Sequence, residues 1–106
     1  MVLKLIDSNK NVAAEFKVEI DVHMFIIRPK ILDDEFLYLN NRLMKLRTKY
    51  MTKYLYYIEY DKSESEAYNI ETEIIEELKE ILEEEIKYKF IAEGKEYFIL
   101  NELERE

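Results

Sequence analysis

A chain of 106 residues with a net charge of -8 has the length of one domain, and 48% hydrophobic residues suffice to give that domain a core. One glycine, one proline and no cysteine exclude a P-loop, a dinucleotide fingerprint, disulfides, thiolate zinc sites and cysteine nucleophiles. The amino terminus has no signal-peptide pattern and no apolar run nears ~18 residues, so the expectation is a soluble, intracellular single domain over 1–106 that does not enter a membrane.

Residues 1–6 form a short apolar run, closed by the turn formers Asp7 to Asn11. From Phe16 the pattern alternates. Phe16, Val18, Ile20, Val22, Met24 and Ile26 share one face, and Lys17, Glu19, Asp21 and His23 the other, so 1–6 and 12–27 are predicted to pair as an antiparallel hairpin. Pro29 is expected to end the second strand. Over 31–50, Leu32, Phe36, Leu39, Leu43, Leu46 and Tyr50 fall on one helical stripe. Asp33, Asp34 and Glu35 stand at its start, and Arg42, Lys45, Arg47 and Lys49 towards its end, the order that suits the helix dipole.

The aromatic and β-branched run from Thr52 to Asp61 reads as a central strand. Ser63 with Glu66 fits a capping box for a second helix, whose stripe Ala67, Ile70, Ile74, Leu78 and Ile81 is expected to run to about Glu85. Tyr88, Phe90 and Ala92 then alternate as a strand, Glu93-Gly94-Lys95 forms a three-residue hairpin loop, and Tyr97 to Leu100 returns. Asn101 to Glu106 is a polar tail. The predicted order is ββαβαββ: an α+β fold with an antiparallel or mixed sheet of about five strands and two helices on one face.

Charge is unevenly placed. Residues 64–85 hold ten acids and one base, Lys79, while the other 84 residues hold 14 acids and 15 bases. Helical geometry points Glu73, Glu76, Glu80, Glu83 and Glu84 away from the sheet-facing stripe. With Glu66 and Glu77 they form a candidate docking surface for a basic protein partner; the competing reading is an ordinary solvated face. A sequence pI near 4.8 opposes direct contact with nucleic acid. The basic group Arg42, Lys45, Arg47, Lys49 and Lys53 beside Tyr50, Tyr54, Tyr56 and Tyr57 is accounted for by a helix C-terminus matched to its dipole.

His23 is the single histidine and falls on the polar phase beside Asp21, the minimal pair for general acid–base work in a small nuclease or hydrolase. A surface histidine is the favoured account, because no nucleophile or Gly-rich loop accompanies the pair. Asp33-Asp34-Glu35 lacks EF-hand spacing, so neither a metal nor another cofactor is expected. Leu37, Met44 and Met51, spaced by seven, make a second apolar stripe. It either fills the gap between the helices or forms the interface of a two-fold homodimer.

A Gly-poor, Cys-free chain rich in Glu, Lys, Ile and Tyr, with its acids gathered between Glu64 and Glu85, resembles the small acidic anti-CRISPR proteins of viruses that infect hyperthermophilic archaea, the inhibitor of type I-D interference in particular. That resemblance implies a homodimer in the cytoplasm of an archaeal host cell, acting on the large subunit of the interference complex. The leading expectation is therefore a non-enzymatic inhibitor that places its acidic helix in a basic groove of a nucleic-acid-handling complex. The alternatives are a nuclease or hydrolase built on His23 and nearby carboxylates, and a structural dimerisation module.

Overall fold

The computed structural model describes residues 1–102. Their order is β1 (Val2–Asp7), β2 (Val12–Asp21), β3 (Met24–Ile31), a 3-10 turn (Asp34–Phe36), α1 (Leu39–Tyr60), α2 (Glu64–Glu93) and β4 (Tyr97–Glu102). The α+β class and the two helices agree with the sequence. The order is βββααβ instead of ββαβαββ, and the sheet has four strands, arranged β3-β2-β1-β4 with every pair antiparallel.

Alternation sets the register. Leu3 faces Phe16, Leu5 faces Ala14 and Val18 faces Ile27, so one sheet face carries the large apolar side chains. Both helices pack on that face, α2 over β2 and β4 and α1 over β3. Phe16, Phe36, Leu39, Leu43, Ile70, Ile74, Leu78 and Leu82 fill the space between the layers.

Three corrections explain the changed order. The predicted strand 12–27 breaks at Val22-His23, a tight turn in which the His23 backbone N–H donates to Asp21 Oδ1 at 2.7 Å. Pro29 does not end the second half; it sits within β3, an edge strand, where one side needs no ladder hydrogen bond.

The run 52–61 is helix, not a central strand. Tyr54 and Tyr57 extend the stripe Leu43, Leu46, Tyr50 at helical spacing and are buried, with Tyr54 stacked on Phe25 at 4.8 Å. The stripe itself begins at Leu39; Leu32 is 51% exposed and lies before the helix.

Likewise α2 does not stop near Glu85 but continues to Glu93, absorbing the predicted strand 86–92. Lys89 is buried there, its ammonium 5.3 Å from the Phe36 ring centroid and 3.3 Å from Glu93. Gly94 is the helix cap, not a hairpin residue. At φ 68 it takes the left-handed conformation, and its N–H donates to the Phe90 carbonyl at 2.9 Å.

The return strand from Tyr97 therefore pairs with β1 as β4, and the predicted tail begins inside it. The rest of that tail, 103–106, lies outside the described residues. No helix among the described residues is long and apolar enough to cross a membrane.

Candidate functional site

The helices run antiparallel because only Asp61, Lys62 and Ser63 separate them. Ser63 starts α2 as predicted, its hydroxyl accepting the Glu66 N–H at 3.2 Å. This tight connection places the basic flank of α1 against one flank of α2. Across the seam Arg42 Nη1 donates to Glu85 Oε1 at 2.9 Å, and its Nη2 lies 3.6 Å from Glu84. Lys49 meets Glu77 and Lys53 meets Glu73. The Tyr38 hydroxyl also donates to Glu85, and burial together with that carboxylate pushes the phenol far above its ordinary value. Tyr50 is pushed up to about 12, first by burial and then by Glu77.

The acids of α2 therefore divide. Helix α2 carries eleven acids against three bases, and α1 five bases against one acid, so much of the acidity is answered inside the molecule. Glu73, Glu77 and Glu84 face α1 cations. Glu77 is half-buried, and its Oε2 has no hydrogen-bond partner. The Glu66 backbone N–H serves the helix start, and its carboxylate receives the Asn69 side chain at 3.5 Å. Glu76, Glu80 and Glu83 remain exposed at i, i+4 and i+7, with no ion pair among the described residues; Lys79 and Lys87 border this ridge. A cleft of about 470 Å³ opens along the seam, and its walls alternate Arg42, Lys45 and Lys49 with Glu77, Glu80 and Glu84. Alternating signs give it no preference for a polyanion or a polycation.

The basic group read beside the tyrosines is thus spent on the seam in Arg42, Lys49 and Lys53. Glu85, with two donors on one carboxylate, is the tightest point of that seam, and the sequence reading left it out of the docking surface. A signal existed: the bases of 42–53 recur at helical spacing opposite an equally periodic row of acids.

The apolar stripe resolves differently. Leu37 precedes α1 and is 50% exposed, Met44 is 67% exposed, and Met51 is half-buried against the core. Helical geometry sets Met44 and Met51 about 140–180° from the seam residues Lys49 and Lys53. They do not fill the gap between the helices; they lie on the opposite flank of α1, with Leu55 also exposed there.

His23 and Asp21 are not neighbours on one strand face. His23 is exposed in the β2–β3 turn, and Asp21 spends Oδ1 on that turn's backbone. Among the described residues no three acid or histidine side chains are placed to hold a metal ion. Comparison with protein families, with curated proteins and with solved structures gives no match for this chain.

Proposed function

We propose that the chain is a non-catalytic docking protein that offers the outer ridge of α2 to a basic protein surface. The supporting observation is the contrast around one helix. Glu73, Glu77, Glu84 and Glu85 each have a cation from α1, whereas Glu76, Glu80 and Glu83 are exposed without one. Like charges at these spacings repel by a few tenths of a kcal/mol per pair, a cost that a basic partner removes on binding. The net charge of -8 steers such a partner in and repels nucleic acid itself. Basic grooves that hold nucleic acid have the matching chemistry. The resemblance to anti-CRISPR proteins names one, the large subunit of a type I-D interference complex, which this chain would inhibit by occupying its groove in the archaeal host cell.

The test is the affinity for that purified subunit. Glu76→Lys, Glu80→Lys and Glu83→Lys together should abolish binding without unfolding the protein, because none of the three touches the core. Unchanged affinity would end the proposal.

A second reading rests on the other flank of α1. Leu37, Met44 and Leu55 expose apolar area beside the edge strand β3, and a second copy of the chain across a two-fold axis would cover it. Light scattering at micromolar concentration should give a dimer mass that Met44→Glu halves. A monomer in the wild type would remove this reading.

A further inference from the structure

The seam between α1 and α2 is a ladder of ion pairs with one rung missing. Arg42 meets Glu84 and Glu85, Lys49 meets Glu77, and Lys53 meets Glu73. The same antiparallel register sets Lys45 and Leu46 opposite Glu80 and Ile81. No rung forms there. Lys45 and Glu80 are both exposed, and neither has a hydrogen bond or an ion pair among the described residues. At ~1.5 Å of rise per residue, the stretch from Arg42 to Lys49 leaves a gap about 10 Å long between the flanking rungs.

The cleft of about 470 Å³ opens at this gap. Its α1 wall is cationic and its α2 wall anionic, with Leu46 and Ile81 between them. Leu46 is buried and Ile81 packs half-buried against the core, so the floor is apolar and fixed. The volume is that of a small-molecule site.

A second observation lies in the anionic wall. Lys49 takes Oε1 of Glu77, while Oε2 is buried and has no hydrogen-bond partner. A buried acceptor without a donor carries a desolvation cost that a hydrogen bond removes. The terminal torsion of a glutamate is soft, so a donor arriving in the cleft can be met by a rotation of this carboxylate.

The lining disfavours ligands of one sign. A polyanion meets Glu80 and Glu84, and a polycation meets Arg42 and Lys45. A molecule with both charges on a short apolar body finds the opposite sign on each wall. We infer that this cleft binds a free α-amino acid with an apolar side chain. Its carboxylate accepts from Lys45, its ammonium donates to Glu80 and Glu77, and its side chain lies on Leu46 and Ile81. Two floor residues cover one such side chain. The site goes beyond the docking proposal and shares only Glu80 with it.

Titration of the isotope-labelled full chain with L-leucine, followed by backbone amide shifts, tests the inference. Leucine should bind saturably with Kd of about 1 mM or tighter, and the amides of Lys45, Leu46, Glu80 and Ile81 should move. Leucinamide lacks the carboxylate and isocaproate lacks the ammonium. Each should bind roughly ten-fold more weakly, about 1.4 kcal/mol. Lys45→Gln should weaken leucine ten-fold and remove its advantage over leucinamide. Glu80→Gln should do the same for its advantage over isocaproate. Neither side chain holds another, and a thermal melt confirms the fold. Lys30→Gln makes the same charge change as Lys45→Gln on β3, remote from the cleft, and should leave binding unchanged. Absence of saturable binding by leucine would overturn the inference. So would equal affinity for either single-charge analogue, full affinity in Lys45→Gln and Glu80→Gln, equal weakening in Lys30→Gln, or shifts confined to other elements. Because Lys45→Gln leaves Glu76, Glu80 and Glu83 in place, failure here and failure of the docking proposal are separate results.

Discussion

The two acidic flanks of α2 share a composition and differ in what faces them. On the seam Glu73, Glu77, Glu84 and Glu85 meet Lys53, Lys49 and Arg42, and one of these acids also receives the Tyr38 hydroxyl. On the ridge, Glu76 and Glu83 meet solvent, and Glu80 stands exposed at the rim of the seam cleft without an ion pair among the described residues. A run of glutamates is therefore two structures at once: an internal cement that orients α1 on α2, and an outward field. Exposed ion pairs such as Lys53–Glu73 contribute little individually, about 0–1 kcal/mol. Glu85 is different, because its side chain is 15% exposed and holds two donors.

The largest expected effect breaks the ridge. Charge reversal at Glu76, Glu80 and Glu83 should weaken binding of a basic partner at least 100-fold, about 3 kcal/mol, while chemical denaturation shows stability within ~0.5 kcal/mol of wild type. Breaking the seam should give the mirror image. Glu85→Ala removes the Tyr38 acceptor and leaves Arg42 with Glu84 alone, at 3.6 Å; with both donors partly exposed it should cost about 0.5–1.5 kcal/mol of stability, with partner affinity unchanged.

A smaller effect lies away from both flanks. Glu71 has a raised folded-state pKa. The folded protein therefore holds its proton more tightly than the unfolded chain. The stability this contributes is fully present below the unfolded carboxylate value, about 4.3, and is lost as pH rises through the raised folded value. Glu71→Gln should flatten that decline in a melting series between about pH 4 and pH 7. The seam variant Glu85→Ala should leave it in place. The smallest effect is Met44→Glu, which should abolish self-association but change monomer stability by no more than ~0.5 kcal/mol, since Met44 lies outside the core.

The elements that were legible in the sequence are those whose period had no rival. The alternation Phe16, Val18, Ile20 fixes the buried face of β2, and Ala67, Ile70, Ile74, Leu78 fixes that of α2. The Ser63 cap was readable to the residue. The misread stretches, 52–61 and 86–92, are dense in Tyr, Phe and Ile, where β propensity and a helical stripe compete. Tertiary burial of Tyr54, Tyr57 and Lys89 decides for helix. Gly94 was legible as a special backbone position but not as a helix cap, because the predicted end of α2 lay too early.

The docking surface was half legible. Helical spacing identifies which acids leave the core, but it cannot say which of them α1 will meet. That depends on the three-residue connection and on the antiparallel pairing it enforces. Asp21 and His23 were visible as a pair, but for a role the β2–β3 turn geometry does not give them.

The most direct test measures the affinity of three proteins for the purified large subunit of a type I-D interference complex at low and high salt: the wild type, the ridge triple variant and Glu85→Ala. The account expects salt-sensitive binding by the wild type and by Glu85→Ala, and none by the ridge variant. Binding retained by the ridge variant, or absent from the wild type, would contradict it.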